Sequence, residues 1–187
     1  MKQVIQCGHL FDVNAKQFQA NACIYISDNL IEKVEYNAPI KDGYQVLDLS
    51  SKYVLPGFID CHLHLNMNGE NNSFETIASD LYGDLTLKAY AYAQKDLMAG
   101  FTTLRDEGAV GYTDVALKNM INRGVVKGPR LFVSGKPLGT TGGHADSHFN
   151  PFITGEHSLG IIVDDPDECR KGVRENLKWG ADQIKIM

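Results

Sequence analysis

Two histidines one residue apart, His62 and His64, are the side chains of this sequence best suited to chemistry. On an extended segment, residues two apart leave the same face, so the pair presents two neutral imidazoles together while Cys61, Leu63 and Leu65 point the other way. Two converging imidazoles are half of a divalent metal site. So short a pattern also arises by chance, and alone it reads first as two satisfied core histidines or as a surface pair without a role. Lys185, in the apolar run Gln183–Met187, reads by itself as a lysine paired with a carboxylate or turned to solvent. His144 and Asp146, in Thr-Gly-Gly-His-Ala-Asp, lie on a Gly-rich segment where loops supply ligand contacts, and His144 reads equally as a surface histidine. Arg105 and Asp106 adjoin at the end of a strand-like run and are placed to form an ion pair that shapes the site, with a structural role first and a catalytic one second. His9, His148 and His157 have no supporting pattern.

The elements that must carry these residues fall into two groups. Residues 1–53 hold short β-like runs, among them Ala22–Ile26, Leu30–Val34 and Val46–Leu49, separated by turn residues such as Ser27-Asp28-Asn29. They predict a small antiparallel β domain. From residue 54 to 187 the rhythm changes to helices alternating with short apolar strands, the pattern of βα units on a parallel sheet or barrel. Strands are expected at Phe58–His64, Phe101–Asp106, Arg130–Ser134 and Gln183–Met187, and helices over 74–98, 113–122 and 166–179. The last helix has the clearest signals: Asp165 as N-cap, Pro166 at the first helical position, Glu168 three residues after the cap, an apolar stripe of Cys169, Val173 and Leu177, and Gly180 as the stop. The stretch 135–165 is too long for an ordinary connection and reads as a functional loop.

Composition excludes several classes of function. The 187 residues are 43% hydrophobic and 22% charged with a formal net charge of -5, an ordinary globular balance with no basic field for nucleic acid or anionic lipid. No apolar run reaches the roughly 18 residues needed to span a bilayer, and the first residues lack the apolar stretch of a signal peptide. A cytoplasmic protein is expected. Four well-separated cysteines, Cys7, Cys23, Cys61 and Cys169, read as buried thiols rather than a disulfide framework.

The segment Val54-Leu55-Pro56-Gly57-Phe58-Ile59-Asp60-Cys61-His62-Leu63-His64 resembles the first barrel strand of the amidohydrolase superfamily, which carries PGxIDxHxH there. AGFTTLRDEG resembles the second strand, GPRLFVSGKPLGTTGGHAD the third strand and its loop, and WGADQIKIM the fourth. The set is most similar to the Xaa-Pro dipeptidase-like and metal-dependent carboxypeptidase-like branch. The resemblance implies an α/β fold, a partial (β/α)8 barrel of about four βα units preceded by the small β domain. It also implies a divalent metal site, zinc as one or two ions in the intact enzyme, with His62 and His64 as ligands. Lys185 would become a carbamate that bridges two metals, a reaction requiring a neutral amine. It implies a substrate contact for His144 and supporting roles around the site for Asp60, Arg105 and Asp106.

Residues 54–187 are about half of the roughly 250 that an eight-stranded barrel takes. By the resemblance, two more histidines and the aspartate that acts as general base lie on later strands, so no catalytic residue is expected in this chain and the 187 residues alone are expected to be inactive. The implied parent is a hydrolase of carbon–nitrogen bonds in a dipeptide or small N-acyl amino acid, using a water activated by metal. A deaminase or cyclic-amide hydrolase of the same superfamily is the alternative among enzymes. A truncated, inactive chain acting only by association is the alternative of another class. A bare half barrel predicts either a homo-oligomer or a missing C-terminal half.

Overall fold

The computed structural model describes residues 2–71, 73–146, 148 and 159–187; His157 lies outside them. The chain divides into two compact units, Met1–Pro56 and Gly57–Met187.

The first unit is one four-stranded sheet of β1 (Lys2–Asp12), β2 (Gln17–Ser27), β3 (Leu30–Tyr36) and β4 (Gln45–Val54), in the order β3-β2-β1-β4. Tight turns with left-handed residues, Lys16 and Asp28, join the first three strands as an antiparallel meander. The fourth departs from the antiparallel expectation: β4 pairs with β1 in parallel. The segment 37–44 is long enough to carry the chain across the sheet to its other edge, so the direction of β4 is not dictated by a hairpin. The strands alternate Val4, Cys23 and Tyr25 into one cluster and Cys7, Leu10, Ala22 and Ile24 into another.

In the second unit, β5 (Phe58–Leu63), β6 (Phe101–Asp106) and β7 (Arg130–Val133) form a parallel sheet in that order. Between them run α1 (Ser73–Ser79), α2 (Tyr82–Met98) and α3 (Thr113–Asn122). Helix α2 buries Leu85, Ala89 and Ala93, a stripe at every fourth position. Its two alanines meet Leu104, Leu131 and Val133 of the sheet and Val115 and Leu117 of α3 in one core. The helix expected as continuous over 74–98 is two helices because Leu81 is extended, with its N–H held by the Asp84 carboxylate.

Two more expectations are corrected. Gln183–Met187 is not a fourth strand; it makes a single parallel bridge, Ile186 to Leu138. The Asp182 carboxylate takes the Val133 N–H, and the N–H groups of Asp182 and Gln183 both turn to the Val133 carbonyl, so no regular ladder continues from β7. Leu138–Gly139, as β8, instead pairs with β9 (Ile161–Ile162) inside the expected loop. Helix α4 (Pro166–Trp179) is capped as read, Asp165 accepting from the N–H groups of Asp167 and Glu168, and Gly180 closing it at φ 103°. Its buried residues, however, are Gly172 and Asn176, while Cys169 and Leu177 are exposed. Asn176 bonds both the N–H and the C=O of Lys136, and a Cβ on Gly172 would stand 2.8 Å from Leu138, so a polar clasp and a close approach choose this face. Cys7 and Cys23 are buried, Cys61 and Cys169 exposed. No helix among the described residues is long and apolar enough to cross a membrane.

Candidate metal centre

The alternation of β5 does not run unbroken to the histidines. Asp60 pairs with Leu104 and Leu63 with Asp106, so three steps on β5 match two on β6. One extra residue in a strand reverses which face its later side chains take. Asp60 therefore shares the helix-facing side with Leu104, and after the bulge Leu63 and Leu65 return to that side and join the core. The histidines are left to the opposite side at the strand's end, their ring centroids 5.6 Å apart in an edge-to-face arrangement. Asp60 supports the turn directly, its carboxylate accepting the His62 N–H at 2.9 Å.

His64 is the better anchored of the two. Its Nδ1 donates to the Gly108 carbonyl at 3.0 Å, which leaves Nε2 with a lone pair, the tautomer a metal ligand requires. Gly108 sits at φ 141°, a conformation that favours glycine, and a Cβ there would press on Pro137 at 3.3 Å. Beneath it, the Asp106 carboxylate accepts the N–H of Leu65 and the N–H of Gly108, both at 3.0 Å. Burial pushes the Asp106 carboxyl well up, and the neighbouring Asp114 adds to the rise.

The ion pair expected between Arg105 and Asp106 does not form, because consecutive strand residues face opposite ways. Asp106 is buried, while exposed Arg105 donates to the Cys61 carbonyl and pairs with Glu107 at 2.7 Å. Glu107 is the residue that reading the sequence missed. Its backbone N–H bonds the Leu63 carbonyl, and its side chain, 11% exposed, accepts from Gln183 at 3.1 Å and lies 3.8 Å from the Lys185 Nζ. Lys185 is only 19% exposed, so it is a lysine drawn in beside a carboxylate, not one turned to solvent. The available signal was a third consecutive charge in Arg-Asp-Glu-Gly at a strand end.

A cavity of about 220 Å³ is lined by His64 together with His144 and Met187. Asn66, Met67, Ile77, Val110, Pro137 and Leu159 complete most of its wall. His64 and His144, 80 positions apart in sequence, thus border one space. Asp146 instead accepts the Gly142 N–H within its own loop. His9 stacks on Tyr53 in the first unit, and His148 is exposed. Among the described residues no three His, Cys, Asp or Glu side chains gather to hold a metal ion. What the chain provides is a pair of adjacent imidazoles and, beside Glu107, a semi-buried amine.

A model of the amidohydrolase family matches residues 53–187. Over 89% of its length the chain is 30% identical to an ochratoxinase from Aspergillus niger, of which it covers 38%. Its structure superposes, at TM-score 0.87 and 30% identity, on a prolidase solved in complex with N-methylphosphonate-L-proline, covering 46% of that chain. It also superposes, at TM-score 0.84 and 29% identity, on a Xaa-Pro dipeptidase with methionine bound in its active site, covering 47% of that chain. The chain thus spans less than half the length of these relatives.

Proposed function

The chain belongs to the amidohydrolase family, and from that premise we propose that it forms the first part of a metal-dependent hydrolase that cleaves the C–N bond of a dipeptide or small N-acyl amino acid. The observation that carries the reading is the His64 hydrogen bond to the Gly108 carbonyl, with His62 beside it. It fixes an imidazole with a free Nε2 at the C-terminal end of a parallel strand, where barrel enzymes place their chemistry. That donor suits zinc or another divalent ion.

In this reading His62 and His64 are the nitrogen ligands contributed by the chain, and Lys185, as a carbamate, the anionic one. A metal bound there supplies Lewis-acid polarisation of the amide and lowers the pKa of the attacking water. The chain's own residues hold that arrangement. Asp60 fixes the His62 backbone, Gly108 fixes the His64 tautomer, and Glu107 holds Arg105 and Gln183 about one carboxylate, while its contact with Lys185 belongs to the uncarbamylated amine. His144 contacts substrate in the cavity it shares with His64, where the apolar walls receive an uncharged side chain. The remaining ligands and the general base come from sequence following Met187 in a longer protein. The mostly apolar cavity and the prolidase and ochratoxinase likenesses favour an amide substrate with a small apolar residue.

The test is metal content and amide hydrolysis in the full-length protein, using a dipeptide panel that includes proline and methionine. Wild type is expected to bind divalent metal and turn over; His62→Ala and His64→Ala each lose metal and at least about 100-fold in rate. Full turnover by either variant, or tight metal retained without both imidazoles, would overturn the assignment.

A further inference from the structure

We propose that Asp106 is a positioning residue for the histidine pair: its buried carboxylate pins the two main-chain segments flanking His64 and so keeps the proton of that imidazole on Nδ1 and its lone pair on Nε2. The geometry is a closed ring. One carboxylate oxygen takes the N–H of Leu65, the residue after His64, and the other takes the N–H of Gly108, whose carbonyl accepts the His64 Nδ1–H; all three bonds are 3.0 Å. The imidazole is thereby held from its own backbone and from its ring at once. The peptide group that presents the Gly108 carbonyl is fixed at its other end, where the Ala109 N–H bonds the Gly135 carbonyl at 2.9 Å. The Gly135 N–H in turn bonds Asp114, a second fully buried carboxyl.

Two acceptor oxygens are needed because two donors must be met, the Leu65 N–H buried and the Gly108 N–H half-buried. Asparagine keeps the shape but offers one acceptor and one donor, so either the Leu65 or the Gly108 N–H would face an N–H₂ group instead of an acceptor. The isosteric change leaves no cavity, and its effect should pass to the ring of His64. This inference rests on the proposed function only in treating His64 as a ligand; the tautomer is a property of the metal-free protein.

The experiment uses full-length protein labelled with ¹⁵N-histidine, stripped of metal, and read by long-range ¹H–¹⁵N NMR, followed by zinc affinity from chelator competition. Wild type is expected to show His64 as a single Nδ1–H tautomer. Asp106→Asn should mix the two tautomers of His64 and weaken zinc binding by about 10- to 100-fold, the range for outer partners of metal-binding histidines. Leu117→Ala, in the core of α3, is a control that destabilises without touching the ring, and it should leave the tautomer unmoved. His64 protonated on Nε2 in the wild type overturns the proposal even if no variant folds, and so does an unchanged His64 in Asp106→Asn. A shifted tautomer with wild-type zinc affinity upholds the positioning role while removing His64 from the ligand set, so the two readings fail separately.

Discussion

The two faces of the parallel sheet in the second unit are built from alternate residues of the same strands and end in opposite states. On one face Leu104, Leu131 and Val133 are buried under α2 and α3. On the other, Ile59 is 63% and Phe132 45% exposed, and Arg105 stands beside Phe132 in register. Hydrophobicity along the strand does not separate the faces, since both carry isoleucine, leucine or phenylalanine. What separates them is that only one is covered, and the polar groups that fix the candidate site, Asp106 foremost, are rooted in the covered one. A site at the end of a sheet can therefore be held from one side while the surface beside it is open.

The largest test of this contrast is deletion of equal apolar volume from each face. Leu104→Ala removes a fully buried side chain and is expected to lower unfolding stability by about 2–5 kcal/mol. Ile59→Ala should change it by no more than about 0.5 kcal/mol, as for most surface positions. Urea denaturation of the 187-residue chain reads both, and equal losses would show that the second face is covered in solution.

A smaller effect follows from burying two acids, Asp106 and Asp114, on the covered side. Burial raises the Asp106 carboxyl, with Asp114 adding to it. A carboxyl whose pKa is higher folded than unfolded makes the native state bind more protons. Its contribution is complete below the unfolded value of about 3.9 and fades as pH rises through the folded value. The stability advantage of wild type over Asp106→Asn should therefore shrink with rising pH, by at most about 1.4 kcal/mol per unit for one proton. An advantage that grows from pH 4 to 8 would reverse the sign argued for this group.

The smallest effect is chemical. Cys61, two residues after Ile59, is exposed, whereas Cys7 and Cys23 are buried. A thiol reagent should modify Cys61 and Cys169 in the folded 187-residue chain and leave Cys7 and Cys23 untouched until denaturation. Slow labelling of Cys61 in the full-length protein, with Cys169 still fast, would show that later sequence covers the open face; equal rates in both would show that it does not.

Local sequence carried a definite part of this molecule. Asp165, Pro166 and Gly180 bound α4 because a cap is satisfied by donors two or three residues away, and the turn residues between β1, β2 and β3 act over the same short range. The His-Leu-His pattern likewise put two imidazoles near each other whatever the strand did. Tertiary structure decided which side they face. The bulge after Asp60 exists only relative to the register of β6, and without it His62 and His64 would share the face of Asp60. The same holds for Arg105, which turns to Glu107 and not to its neighbour Asp106, and for Lys185, drawn beside a carboxylate 78 positions earlier in the chain. It holds for α4 too, where the Cys169, Val173 and Leu177 stripe was legible but the Asn176 clasp on Lys136 sets the buried face. Sequence fixes what bonds across a few residues, because those partners are always within reach. Register, facing and burial depend on strands and loops distant along the chain, and only folding brings those into contact.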